Sequence, residues 1–209
     1  MIEYFGKQYV PIQPDFFAPP SFEVAPRLVG CVLRMDYRGG DVAIGLSDLE
    51  AYDEIEGAFH GAPSQRLADG HAYVHPYRRS KMWAIDLVCG PKGRGSSVLI
   101  RAGIPLLGLE IMAARRSRDP AADRIVQARA KGYEKRIAHG PCAVGETLDI
   151  QPALDGAWLF EKPFRIYRPV EPITDIDIGR RLNITRDAEL PWRSKWRNPP
   201  LPLPAQAAA

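Results

Sequence analysis

The chain has 209 residues, 45% of them hydrophobic and 25% charged, with a net charge of +3. That composition fits one folded domain with enough chain to bury a core. It holds no apolar run near the ~20 residues a membrane-crossing helix needs, and Glu3, Lys7, Pro11 and Pro14 interrupt the N-terminus where a secretory leader would be continuously apolar. Three widely spaced cysteines, Cys31, Cys89 and Cys142, make no disulfide framework, so buried thiols in a reducing, cytoplasmic setting are expected.

In chain order, residues 1–20 are rich in proline and read as a loosely attached N-terminal arm. Ser21 is placed to cap a short helix over 22–29 that ends near Gly30. Residues 31–37 alternate apolar and polar, Arg38-Gly39-Gly40-Asp41 makes a turn, and 42–52 return, which is a β-hairpin pattern. Residues 53–70 are polar and aperiodic and predict a loop with a helical turn or two. Short strands are expected at 72–75, 82–89 and 97–102, the last two joined by the glycine-rich turn 90–96. That turn lacks the lysine of a phosphate-binding loop. Pro105 precedes two expected helices, 106–118 and 120–137, and Gly140-Pro141 breaks the pattern. Strands are expected again at 157–161, 163–168 and 176–184, and 199–209 as a flexible tail. Strands at both ends with helices between them predict an α+β fold: a single domain over 21–198, with a mostly antiparallel, partly open β-barrel core and peripheral helices.

Charge is unevenly distributed. Asp41, Asp48, Glu50, Asp53, Glu54 and Glu56 fall in a stretch without lysine or arginine, followed by basic runs at 78–101 and 180–197. An acidic cleft between cationic surfaces would suit an anionic polymer; ordinary solvated faces explain the same pattern. Within the acidic stretch, period-two alternation puts Glu50 and Tyr52 on one side of a strand, a carboxylate beside an aromatic ring. A carboxylate there can activate water while the ring offers a face for stacking. His71, His75 and Cys89 form no closed ligand set, so neither a metal nor any other cofactor is expected.

The ordered succession Leu49-Glu50-Ala51-Tyr52, His60, Ala72-Tyr73-Val74 and Val98-Leu99-Ile100-Arg101-Ala102 resembles the alkyladenine (methylpurine, or 3-methyladenine) DNA glycosylase family. The likeness continues through 108–115, Gly140-Pro141, Arg181-Leu182-Asn183-Ile184 and Pro191-Trp192-Arg193, so it spans about residues 20–195. It implies an enzyme of base excision repair that acts as a monomer on double-stranded DNA containing damaged purines, with no membrane and no cofactor. It also implies that Glu50 is the general base for the attacking water, with Arg101 helping to hold that water and steadying the carboxylate. Tyr52 would stack on a nucleotide flipped from the duplex, and His60 would line the base pocket. An alkylated purine is already cationic, so it leaves with little protonation, and no lysine nucleophile or strand-nicking step is implied.

The chain departs from the family pattern in three places. In Tyr73-Val74-His75-Pro76-Tyr77, His75 replaces a stacking tyrosine, and Pro76 disturbs the spacing of Tyr77, the candidate for the side chain that fills the vacated stack. Arg78, Arg79 and Lys81 either grip DNA phosphates or form a basic surface turn. Asp86 stands where the family has asparagine; a carboxylate that accepts hydrogen bonds would favour guanine's amino group, unless it is simply paired with Arg101 or Lys81. Cys142-Ala143 and Ser64-Gln65-Arg66-Leu67 also lack family residues. A DNA-binding relative without catalysis, or a small-molecule N-glycoside hydrolase, are the alternative readings.

Overall fold

The computed structural model describes residues 1–60, 62–77, 82–116 and 137–200. Ten strands form one antiparallel sheet: β1 (Ile2–Tyr4), β2 (Lys7–Pro11), β3 (Val32–Tyr37), β4 (Gly40–Asp53), β5 (Ala72–Pro76), β6 (Trp83–Val88), β7 (Ser96–Leu107), β8 (Phe164–Pro169), β9 (Ile176–Gly179) and β10 (Arg193–Trp196). Its order is β1-β2-β8-β3-β4-β7-β6-β5, with β10 joining β4 to β9. Among the described residues three α-helices pack against the strands: α1 (Ser21–Leu28), α2 (Leu109–Arg116) and α3 (Pro141–Leu148). The sheet does not close, and the expected α+β fold with an open, barrel-like core is what the chain adopts.

β4 organises the molecule. Its first half pairs with β3 as far as Gly45, and its second half pairs with β10 across Asp48, Leu49 and Glu50. Register shifts against β7, at Ala43/Ile44 and on both sides of Asp48, bend the strand between those two partners. Leu49 and Ala51 point into the main core with Val98, Ile100, Ile85 and Leu87, so the intervening residues of each strand lie on the opposite face.

Several expectations are corrected. The first twenty residues are not a loose arm: β1 and β2 form a hairpin, β2 pairs with β8, and Tyr9, Phe16 and Phe17 are buried, with Tyr9 donating to the Gly30 carbonyl at 3.0 Å. Ser21 begins the first helix instead of capping it, and its hydroxyl donates to the Tyr52 carbonyl. The strand expected to end at Ala102 runs on to Leu107 and absorbs Pro105 opposite the register shift at Ile44, where a missing N–H disturbs the ladder least. The helix expected from 106 therefore starts at Leu109. Gly140-Pro141 opens α3: Gly140 takes φ 104° and Pro141 occupies the first turn, where its missing N–H costs nothing. Residues 157–161 make turns with one isolated bridge, His71 to Trp158, and the strand expected over 176–184 stops at Gly179. Most of the helix expected over 120–137, and the end of the tail, fall outside the described residues. Cys31 and Cys89 are buried and Cys142 is partly so, with no disulfide among the described residues.

Candidate active site

The site is a row across the sheet. Tyr73 of β5 sits opposite Asp86 of β6, Asp86 opposite Leu99 of β7, Leu99 opposite Glu50 of β4, and Glu50 opposite Arg193 of β10. Because side chains alternate, the row shares its face with His75, Ser97, Arg101 and Tyr52, two residues away along their strands. Five strands thus deliver polar and aromatic groups to one place while their odd-or-even neighbours build the core.

Glu50 is fully buried. Its Oε2 accepts from the Tyr52 hydroxyl at 2.9 Å and from Arg101 Nη1 at 3.1 Å, and its Oε1 accepts from the Leu182 backbone N–H at 2.6 Å. Of the roughly four acceptor positions of a carboxylate, the described residues occupy two on Oε2 and one on Oε1. Burial, and then repulsion from the Glu50 charge, push the Tyr52 phenol far above its ordinary pKa, so it remains a donor to that carboxylate. Arg101 is nearly buried, and its Nε has no hydrogen-bond partner among the described residues.

A cavity of about 300 Å³ opens beside Glu50, at the small end of the ~300–1,000 Å³ found for ligand sites. Tyr52, His60, Tyr73, His75, Tyr77 and Asp86 all line it, joined by Ser97, Leu99 and residues 182–184. Glu50 lies beneath this lining, in contact with two of its members, Tyr52 and Leu182. His60 is exposed at the rim. Tyr73 and His75 stack with centroids 5.0 Å apart and planes 24° from parallel. Tyr77 closes the β5–β6 hairpin, its N–H bonded to the Met82 carbonyl at 3.0 Å. Arg78, Arg79 and Lys81 lie outside the described residues. A larger hollow of about 410 Å³ between Phe16, Arg27 and Arg168 holds none of the residues singled out in the sequence.

Asp86 does not pair with Arg101, which is committed to Glu50, and Lys81, the other expected partner, lies outside the described residues. Asp86 Oδ1 meets His75 Nε2 at 3.0 Å and its Oδ2 accepts from the Ser97 hydroxyl at 2.9 Å. Burial of His75 opposes its protonation, but the Asp86 carboxylate, with smaller help from the Pro76 carbonyl and Asp155, outweighs this and raises its pKa above the ordinary histidine value.

The acidic stretch is neither an open cleft nor a solvated face. Asp41 pairs with Arg34, Asp48 with Arg193, Glu50 with Arg101, Asp53 with Arg94 and Glu56 with Arg181, and the last four acids are buried. Arg94 and Arg101 of the first basic run and Arg181 and Arg193 of the second are spent neutralising β4 and its extension, while Arg180, Arg186 and Lys195 stay exposed. Sequence reasoning missed Ser97, the Leu182 amide and the Arg181–Glu56 pair; the Arg181-Leu182-Asn183-Ile184 string was the signal for the last two.

Residues 15–200 match the family model described as methylpurine-DNA glycosylase. A Rhodopseudomonas palustris protein is 35% identical over 192 residues, covering 88% of this chain and 85% of its own. A Nitrosospira multiformis protein is 32% identical, covering 85% and 86%. A Streptomyces avermitilis protein is 32% identical over 212 residues, covering 94% and 92%. All three are provisionally named 3-methyladenine DNA glycosylases.

Proposed function

The chain belongs to the methylpurine-DNA glycosylase family, and from that premise we propose that it removes damaged purines from double-stranded DNA by hydrolysing the bond between base and sugar. In this scheme the damaged nucleotide is flipped into the cavity, its base stacks on Tyr52, and a water held by Glu50 Oε1 attacks C1′. Glu50 takes the proton of that water, and its negative charge favours the positive charge building on the sugar as the base departs. Tyr52, Arg101 and the Leu182 amide hold the carboxylate in one orientation, so no reorganisation is needed at the moment of attack. The scheme uses side chains and water only, as a monomer working on chromosomal DNA at the nucleoid, and forms no covalent link to the sugar.

The observation that carries this reading is a buried carboxylate held by three donors, two of which, Tyr52 and Leu182, also line a cavity of about 300 Å³. His60, Tyr73 and His75 form the remaining walls around the base, and Tyr77 at the hairpin end is the candidate to fill the vacated stack, with Arg78, Arg79 and Lys81 next to it in sequence. Asp86 lines the cavity, and a carboxylate there accepts hydrogen bonds where an asparagine amide could donate, which supports preference for guanine-type lesions that offer an exocyclic amino group.

The test is excision from duplexes carrying 3-methyladenine, 7-methylguanine, ethenoadenine or hypoxanthine, read by alkaline cleavage at the resulting abasic sites. Lesion-dependent cleavage is expected. Tight lesion binding without cleavage would mark a non-catalytic relative, and activity confined to free nucleosides a small-molecule hydrolase; either result overturns the proposal.

A further inference from the structure

Resting on that reading, we infer that Arg181 is a positioning residue of the site: one buried guanidinium locks together three of the segments around the base cavity. Its side chain is wholly buried, as is nearly all of its partner Glu56, 125 positions away in sequence. Nη1 donates to the Ala51 carbonyl at 2.9 Å and to Glu56 Oε1 at 2.7 Å; Nη2 donates to Glu56 Oε2 at 3.1 Å and to the Asp187 carbonyl at 3.2 Å. All four terminal N–H groups are therefore committed, which fixes the plane of the group. That plane lies over the Tyr52 ring at 4.7 Å and over the Trp192 ring at 5.2 Å.

The three partners belong to three different segments. Through Ala51 and the ring contact, Arg181 sets the end of β4 and leaves only the other face of Tyr52 for a base to stack on. Glu56 also accepts the Ala58 N–H at 2.6 Å, so the same ion pair shapes the loop that carries Ala58 and His60 into the cavity. Asp187 holds the far end of the 181–187 segment, and its carboxylate accepts the Gly57 N–H at 2.5 Å, tying that segment to the same loop. The next residue after Arg181 is Leu182, whose amide grips Glu50. A displacement of the guanidinium would move the stacking shelf, the rim and one of the three donors to the general base at once. An ion pair used only for stability would not need this fan of contacts, because a buried pair is often no more stabilising than an apolar pair of like size.

The variants are Arg181→Lys, which keeps the charge and loses the planar fork, and Arg181→Met/Glu56→Gln, which removes both buried charges together and so leaves neither unpaired. Each is measured for single-turnover excision of 7-methylguanine below its unfolding temperature, and for hydrogen exchange of the Leu182 and Ala58 amides. The expected result is a rate fall on the order of 10²-fold, as a misplacement of reacting groups by about 1 Å produces. Faster exchange at those two amides should accompany it, with protection in the β3–β8 pairing unchanged. Rates within twofold of wild type, or losses that track only the unfolded fraction, would overturn the inference. If the wild type excises no lesion while exchange responds as described, the proposed function falls and the positioning role stands.

Discussion

Tyr52 does two separable things, and two substitutions should divide them. Tyr52→Phe keeps the ring and its contact with Arg181 but deletes the 2.9 Å hydrogen bond to Glu50. A hydrogen bond to a charged group contributes about 1.5–3 kcal/mol, and this one is largely shielded from water. For a domain of this size each kcal/mol moves Tm by roughly 2–4 °C, so Tyr52→Phe should melt about 3–12 °C lower. Lesion affinity should stay within about twofold, because the stacking face remains. Tyr52→Ala loses the face as well; base–aromatic stacking is worth about 1–3 kcal/mol, which weakens half-saturation by roughly 5- to 150-fold at 1.4 kcal/mol per decade. The assay is the single-turnover excision rate against enzyme concentration on a 7-methylguanine duplex, beside thermal melts. If Tyr52→Phe weakens half-saturation as much as Tyr52→Ala, the ring is not the shelf and the assignment is wrong.

Other outcomes follow from the same geometry. His75 has a raised pKa in the fold, so its pairing with Asp86 stabilises the protein fully below the ordinary histidine range and fades as pH rises through the raised value. The melting difference between wild type and His75→Gln should therefore be largest in acid and shrink on the alkaline side; a gap that widens with pH would contradict the pairing. Asp86→Asn should shift the excision ratio from alkylguanine toward alkyladenine in matched duplexes, and an unchanged ratio would remove Asp86 as a reader of the base. A Cβ at Gly145 would stand 1.9 Å from the Trp83 carbonyl oxygen, where α3 crosses β6. Gly145→Ala should thus cost at least the ~1–3 kcal/mol of an overpacked core, seen as a lower urea midpoint; a stability equal to wild type would contradict that packing.

The parts of the site that were legible in the sequence are the local ones. The hairpin of β3 and β4 follows from alternation around Arg38-Gly39-Gly40-Asp41, and the same alternation places Tyr52 against Glu50, because a period of two is a property of the strand itself. What could not be read is the partner chosen by each acid. Asp48, Asp53 and Glu56 look solvated in a linear reading, yet each meets an arginine 41 to 145 positions away, inside the protein. Pro105 and Pro141 misled for a related reason: one is tolerated by a register shift that only β4 creates, and the other begins a helix where a Gly-Pro pair reads as a break. The Asp86 contacts with His75 and Ser97 likewise depend on register between three strands, which composition does not encode.

The central claim is that Glu50 activates the attacking water, and Glu50→Gln tests it most directly. The substitution nearly preserves shape and removes the base, so the variant should still bind a lesion duplex in a gel-shift or anisotropy titration within a few-fold of wild type. Its single-turnover excision should fall by at least the ~10²–10⁴-fold attributed to general base catalysis. Excision by Glu50→Gln at a rate near that of wild type would show that water is activated elsewhere, and the account of this site would fail.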